Sequence, residues 1–251
     1  MSEKVFAFND TALSVLVPTD RERFRSAFVA FHEKQTGSDP SPSSGLGRAE
    51  VQMYQFPNGE SAVFRAYRRG GWFSKLVTRD FFNPDPSCID YRPLAEYRVL
   101  SFLRNAGVRV PQPLAIVIEK RFLGRWYRGS IATGKIERAQ NLLDLARERS
   151  HGALGGAFGE YCYLAGLEAA KMLRAGVFHR DLHLGNVLVS DGTKVWLIDF
   201  DKATVVSKSA FASAAEKLFE RWCRSTKKHG VGVHADEAFR AGLRLPPGGA
   251  A

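Results

Sequence analysis

Three positions in the last third of the chain have the residue types and spacing of a reactive centre. Asp181 closes His179-Arg180-Asp181, Asn186 follows five residues later, and Asp199 opens Asp199-Phe200-Asp201 behind a short apolar run. A carboxylate in the first position can orient a hydroxyl and accept its proton. An amide oxygen and a second carboxylate are hard ligands that suit Mg2+ on a polyphosphate. Phosphoryl transfer from ATP asks for this division of labour, because it needs positioning and charge neutralisation more than covalent chemistry. Asp181 is therefore the candidate catalytic residue, and Asn186 and Asp199 are the candidate metal ligands.

Bringing these groups to one phosphate demands a particular scaffold. Residues 187–189 and 195–198 are short apolar runs separated by Ser190-Asp191-Gly192. That pattern predicts a β-hairpin whose far end sets Asp199 beside Asn186. Gly185 permits the loop after Asp181 to double back. Either tripeptide alone would merely cap a turn or end a strand; together, in this order, they point to a kinase-like fold. A helix expected over 157–175, with Tyr161, Leu164, Leu167, Ala170 and Met172 as its buried stripe, leads into the loop. Further helices are expected over 141–149 and 209–227. The last carries Phe211, Ala215, Leu218, Phe219 and Trp222 on one face, read as core rather than as a membrane anchor.

The nucleotide side is read upstream. Phe24, Phe28 and Phe31 fall at helical spacing, and a polar loop over 37–44 leads into Gly45-Leu46-Gly47-Arg48. Gly45 and Gly47 can let backbone N–H groups approach phosphate, although the third glycine of the usual kinase loop is missing. Two strands follow over 51–56 and 61–67, joined by Pro57-Asn58-Gly59. In the second, Arg65 stands where a kinase places its phosphate-pairing lysine, and alternation puts it on one face with Val63. A helix over 92–103, with Leu94, Tyr97, Leu100 and Ser101 as its stripe, offers Glu96 as the ion-pair partner of Arg65. Residues 114–118 and 126–133 complete a small antiparallel sheet. Between Arg65 and that helix, Arg68, Arg69, Lys75 and Arg79 are interleaved with Trp72, Phe73, Phe81 and Phe82, a composition suited to an anionic sugar or lipid head group as well as to single-stranded nucleic acid.

These elements predict an α+β, bilobal protein-kinase-like fold, with an N-lobe over 1–134 that binds nucleotide phosphates and a mainly helical C-lobe over 135–251. The 251 residues are 45% hydrophobic and 25% charged, with a formal charge of +10. The charge points to an anionic partner such as nucleotide, acidic glycolipid, membrane surface or nucleic acid and does not itself choose among them; of these, nucleic acid is not expected. Cys88, Cys162 and Cys223 have no metal-ligand spacing and read as inert thiols in a reducing compartment. No run reaches the roughly 18 apolar residues of a membrane-spanning helix, so a soluble or peripheral protein is expected.

Several stretches together carry a family resemblance: Gly47-Arg48, the run Phe64-Arg65-Ala66-Tyr67-Arg68-Arg69-Gly70-Gly71, Lys75-Leu76, Arg79-Asp80, Arg92 with Glu96, residues 107–113, and the run from Trp196 to Lys202. Over most of its length the chain resembles bacterial 3-deoxy-D-manno-octulosonic acid (Kdo) kinases of the lipopolysaccharide kinase family. The resemblance implies ATP and a divalent metal as cofactors, and phosphorylation of the 4-hydroxyl of Kdo in a Kdo-lipid A precursor. It also implies work at the anionic cytoplasmic face of the inner membrane, or in the cytoplasm, with Asp181 as the catalytic carboxylate. Ala49 departs from the family, whose members tend to carry glycine there. A small-molecule kinase of the aminoglycoside or choline type shares the His-x-Asp, Asn and Asp pattern and is the enzymatic alternative. A catalytically dead binding module is suggested by the degenerate glycine loop and opposed by the retention of Asp181, Asn186 and Asp199.

Overall fold

Along residues 61–66, Ala62, Phe64 and Ala66 are buried, while Ser61, Val63 and Arg65 alternate with them on the half-buried opposite face. This alternation organises the first of two units in the computed structural model, which describes residues 5–8, 13–16, 22–37, 51–67, 80–82, 84, 91–121, 125–149 and 157–243. The first unit comprises Met1–Arg98 with Gln112–Lys135, the second Val99–Pro111 with Ile136–Ala251.

In chain order the first unit holds β1 (Val5–Phe8), β2 (Leu13–Leu16), α1 (Glu22–Gly37), β3 (Val51–Gln55), β4 (Ser61–Ala66), β5 (Phe81–Phe82), the start of α2 (Arg92–Asn105), β6 (Pro113–Arg121) and β7 (Trp126–Gly134). The sheet is antiparallel in the order β1-β2-β6-β7-β4-β3, with β5 paired to β7. β1 and β2 are additions to the expected strands. The helix expected from its phenylalanines is α1: Phe24, Phe28 and Phe31 pack with Phe56, Phe64, Ala62 and Ala66 in one core. Each fully buried phenylalanine contributes about 2–3 kcal/mol. His32 ties the same helix to the sheet through a 2.8 Å hydrogen bond between its Nδ1 and Ser130 Oγ on β7. In α2 the buried positions are Pro93, Leu94, Glu96, Leu100 and Leu103, whereas Tyr97 and Ser101 are only half-buried. The expected stripe is thus rotated, because Glu96 turns its carboxylate inward to paired donors.

The second unit contains β8 (Ala139–Asn141), α3 (Leu142–Arg149), α4 (Ala157–Arg174), β9 (Val177–Phe178), β10 (Val187–Ser190), β11 (Lys194–Leu197), β12 (Thr204–Val205), α5 (Phe211–Lys228) and α6 (Val233–Leu243). β8, β10 and β11 form one sheet, and β9 pairs with β12. Asn141, expected in a helix, instead ends β8 and caps α3, its Oδ1 accepting the Leu143 N–H at 2.9 Å. Helix α4 buries Phe158, Tyr161, Cys162, Ala165, Gly166, Ala169, Ala170, Met172 and Leu173, while the expected Leu164 and Leu167 are half-buried. Gly166 of α4 and Gly242 of α6 face each other where the two helices cross almost in backbone contact. A Cβ on Gly242 would meet the Tyr163 carbonyl oxygen, with Leu167 N at 2.8 Å and Gly166 C at 2.9 Å. Helix α5 buries Ala214, Leu218 and Trp222, and the Trp222 ring stacks on Phe239 of α6 with centroids 4.0 Å apart. Its apolar face is core, as expected, and no described helix is long and apolar enough to cross a membrane. Cys162 is buried; burial and Asp236 push the half-buried Cys223 thiol up to about 11, which leaves it inert.

The crossing of α4 and α6 yields a stability prediction. Gly242→Ala places a methyl against backbone that cannot yield, and overpacking of this kind costs about 1–3 kcal/mol. Urea denaturation should show that loss, while Ala241→Ser at the exposed neighbouring position should leave the midpoint unchanged. Equal midpoints for Gly242→Ala and the parent chain would contradict the close crossing.

Candidate active site

The loop from His179 to Asn186 is fixed from both ends. At its start, the buried imidazole of His179 accepts the Asp181 N–H on Nδ1 at 3.1 Å, and its Nε2 lies 3.0 Å from the carbonyl oxygen of Ile198. Both bonds are satisfied by one neutral tautomer, Nε2–H donating and Nδ1 accepting. Burial holds the His179 pKa below the usual histidine value, against the opposing pull of the Ile198 carbonyl and of Asp199 and Asp181. The ring also meets Phe200 edge-on at 4.7 Å. At the far end, the residues from Leu184 to Asn186 form a 3-10 turn capped by His183, whose Nδ1 accepts the Gly185 N–H at 3.0 Å. The Asn141 amide donates to the Gly185 carbonyl at 2.7 Å, so one side chain joins the first turn of α3 to this loop.

The hairpin does what the sequence pattern requires. Asp191 and Gly192 both take positive φ, 50° and 67°, which matches the tight turn between β10 and β11. Val187 pairs with Leu197, and one step beyond the ladder Ile198 N–H donates to the Asn186 carbonyl at 3.1 Å. Asn186 and the residue before Asp199 are thereby side by side. Asn186 is buried and spends its amide N–H on the Asp181 carbonyl at 2.8 Å, which leaves Oδ1 as its ligand atom. Asp199 holds φ at 68°, a left-handed conformation unusual for a residue with a Cβ. Helix α4 braces the end of β11: buried Glu168 accepts Arg109 N–H at 2.9 Å and Arg109 Nη1 at 2.8 Å, and the Arg109 carbonyl accepts Leu197 N–H at 3.0 Å.

Asp181 itself is 28% exposed, and its Oδ1 is bonded by the Nη2 of Arg221, with His183 Nε2 at 3.8 Å. Burial alone would raise the Asp181 carboxyl. The hydrogen bond and charge of Arg221, helped by His183 and Lys202, outweigh it and hold the group below the ordinary aspartate value. Burial likewise lowers His183, so its imidazole stays neutral near pH 7. Sequence reasoning did not single out His183, Asn141 or Arg221. His183 stands two residues past Asp181 and was within reach of the motif; Arg221 is 40 residues away on a helix whose legible signal is its apolar face.

In the first unit, the expected ion pair is present. Arg65 Nη2 contacts both oxygens of Glu96, at 2.7 and 2.6 Å, and Glu96 is only 3% exposed. The Tyr67 hydroxyl donates to the same carboxylate, and the Arg65 guanidinium lies over the Tyr67 ring, 5.0 Å from its centroid. Gly45, Gly47, Arg68, Arg69, Lys75 and Arg79 lie outside the described residues. Among the described residues no group of three or more His, Cys, Asp and Glu side chains forms a metal cage. A two-ligand set of amide and carboxylate oxygens, completed by phosphates and water, fits Mg2+, which is seldom bound by an all-protein cage.

The lowered His179 pKa carries a pH prediction. Because the folded chain binds this proton less readily than the unfolded one, stability is present above the ordinary histidine value. It falls as pH drops from there toward the folded value, and His183 contributes with the same sign. The thermal midpoint should therefore fall on mild acidification. His179→Phe should flatten this limb and cost about 1–3 kcal/mol, since the Asp181 N–H and the Ile198 carbonyl lose their partner. An acid limb of unchanged size in that variant would rule His179 out as its source.

Comparison with known proteins identifies the family and the fold. The model of the lipopolysaccharide kinase (Kdo/WaaP) family matches residues 43–239. A 3-deoxy-D-manno-octulosonic acid kinase of Vibrio vulnificus is 36% identical over 159 residues, 63% of this chain and 63% of that protein, so the matched stretch is under two thirds of the relative's length. The protein of the same name from Vibrio parahaemolyticus is 35% identical over 185 residues, 74% of this chain and 72% of the relative. Among solved structures, WaaP in complex with acyl carrier protein superposes with a TM-score of 0.58 at 16% identity, covering 92% of this chain and 89% of that one. That likeness establishes the α+β, protein-kinase-like fold expected from the sequence. With a family model matched along residues 43–239 and a fold shared with WaaP, the chain belongs to the lipopolysaccharide kinase (Kdo/WaaP) family.

Proposed function

We propose that this chain is an ATP-dependent sugar kinase that phosphorylates the 4-hydroxyl of Kdo in a Kdo-lipid A precursor during lipopolysaccharide core assembly. The observation that carries the reading is the second-unit constellation, in which Asn186 is bonded to the Asp181 backbone and, through Ile198, to the strand end that presents Asp199. Asp181 orients the acceptor hydroxyl. A carboxylate held below its ordinary pKa is a weak base, so it takes the proton only as the bond to phosphorus forms, consistent with a loose phosphoryl-transfer transition state. Asn186 and Asp199 are the residues that would hold Mg2+, which when bound neutralises charge on the ATP phosphates. Arg65, oriented by Glu96 and Tyr67, is assigned to the phosphates, with Gly45 and Gly47 as further phosphate contacts. Residues 1–134 would then serve nucleotide binding, and 135–251 the catalytic loop and metal ligands. Arg68, Arg69, Lys75 and Arg79 are assigned to the acceptor's anionic head group.

The formal charge of +10 supports peripheral attachment to the anionic cytoplasmic face of the inner membrane. The intact arrangement of Asp181, Asn186 and Asp199 favours an active enzyme over a dead binding module.

Purified protein with radiolabelled ATP should transfer label to Kdo-lipid IVA only when Mg2+ is present, and in preference to an aminoglycoside or a generic protein substrate. Preferential labelling of the aminoglycoside, or of none of them, would reject the assignment. In the same assay Asp181→Asn should lower the turnover number by about 100- to 10,000-fold, with ATP affinity near that of the parent. Arg65→Lys should raise the Michaelis constant for ATP, because an ammonium cannot reproduce a planar fork between Glu96 and phosphate. Unchanged ATP kinetics in that variant would move the phosphate contact to another residue.

A further inference from the structure

Resting on the reading of the chain as a kinase for an acidic sugar, we propose that Arg221 is the acceptor-recognition residue, binding the sugar carboxylate while Asp181 takes the hydroxyl. Arg221 reaches the loop from α5 and places Nη2 on Asp181 Oδ1. No side chain among the described residues bonds Oδ2, so that oxygen remains for an acceptor hydroxyl. The guanidinium is poorly explained as a clamp alone. Nη2 is the one nitrogen of its three that is engaged, and Nε is buried without an acceptor among the described residues. An arginine with unused donors, 38% exposed beside an orienting carboxylate, is placed to receive a second anion.

The surroundings have the sign that such an anion requires. Asp181 also feels the positive charge of Lys202, a second cation beside Arg221, while the neutral His183 holds Nε2 3.8 Å from the oxygen that Arg221 bonds. One cation would suffice to pair with Asp181; the surplus favours an anionic acceptor. In Kdo the carboxylate and the 4-hydroxyl stand on ring carbons separated by a single methylene. A substrate that presents its hydroxyl to Asp181 therefore brings its carboxylate to whatever adjoins Asp181, and Arg221 adjoins it. A neutral sugar would gain nothing there, and a cationic aminoglycoside would be repelled, so this contact gives the site its choice of acceptor.

The test compares a Kdo-lipid acceptor with its carboxamide analogue, at saturating ATP, in wild type, Arg221→Gln and Arg224→Ala. Arg224 is exposed on the same helix and controls for loss of charge alone. Wild type and Arg224→Ala should favour the carboxylate by about tenfold or more in kcat/KM. Arg221→Gln should lose the preference, through a raised KM for the carboxylate acceptor with an ATP KM changed by less than about twofold. A preference that survives Arg221→Gln overturns the proposal, as does an equal fall in kcat on both acceptors, which would leave Arg221 a positioning residue for Asp181. Should the glutamine variant fail to fold, free Kdo and its carboxamide are compared as inhibitors of the wild type; equal inhibition overturns the proposal. Absence of any transfer to Kdo-lipid by wild type sinks the kinase assignment and this inference with it. Transfer without carboxylate preference sinks this inference alone.

Discussion

A single neutral imidazole bears the geometry of the catalytic loop. His179 joins two segments distant in sequence by accepting the Asp181 N–H and donating to the Ile198 carbonyl, so the backbone of Asp181 and that of the strand end before Asp199 share one rigid ring. The bonds are possible in one tautomer and one charge state: burial disfavours the imidazolium, and the Ile198 carbonyl with the Asp181 N–H selects the tautomer. Asn186 repeats the device a few residues later, with its side chain on the Asp181 carbonyl and its own carbonyl on the Ile198 N–H. Between them, these two residues satisfy both backbone polar groups of Ile198. Loss of either would leave buried peptide groups without partners, at a cost comparable to the loss of a core methyl or two.

The rest of the second unit holds this knot in place. Helix α4 presents Glu168 to Arg109, and the Arg109 carbonyl catches Leu197 at the end of β11. Such a buried carboxylate is tolerable because it has three donors, two from Arg109 and one from Lys171 at 2.8 Å. The other side of α4 is occupied by α6, approached through glycines. In turn α6 stacks Phe239 on Trp222 of α5, the helix that carries Arg221 to Asp181. A chain of packing thus runs from small residues in a helix crossing to a cation at the reactive carboxylate.

Legibility in the sequence followed the range of the interaction. The β10–β11 hairpin and α1 were readable because period-two and period-3.6 patterns place those side chains by local geometry alone, whereas the Arg65–Glu96 pair, 31 residues apart, was readable only through the kinase pattern. The buried face of α4 was read in part, with Tyr161, Ala170 and Met172 buried as expected, and the remainder was missed for a physical reason: hydrophobic bulk marks a face that packs on side chains, whereas at Gly166 the helix packs on the α6 backbone. Helix α6, rich in alanine and glycine, was missed on the same ground. Tyr67 and Asn141 add hydrogen bonds that any tyrosine or asparagine can offer, and nothing in the local sequence distinguishes them. Arg221 bonds across 40 residues, so no window reading could have found it.

The left-handed backbone at Asp199 bears on how the protein would respond to selection. Holding a residue with a Cβ at a φ of 68° costs on the order of 1 kcal/mol, a cost that glycine escapes and asparagine reduces. A library screened for thermal resistance alone would be drawn to glycine at this position, giving a protein that melts later and has lost the carboxylate proposed to hold Mg2+. Robustness and activity pull in opposite directions at Asp199, and screening for both together would restore the acid.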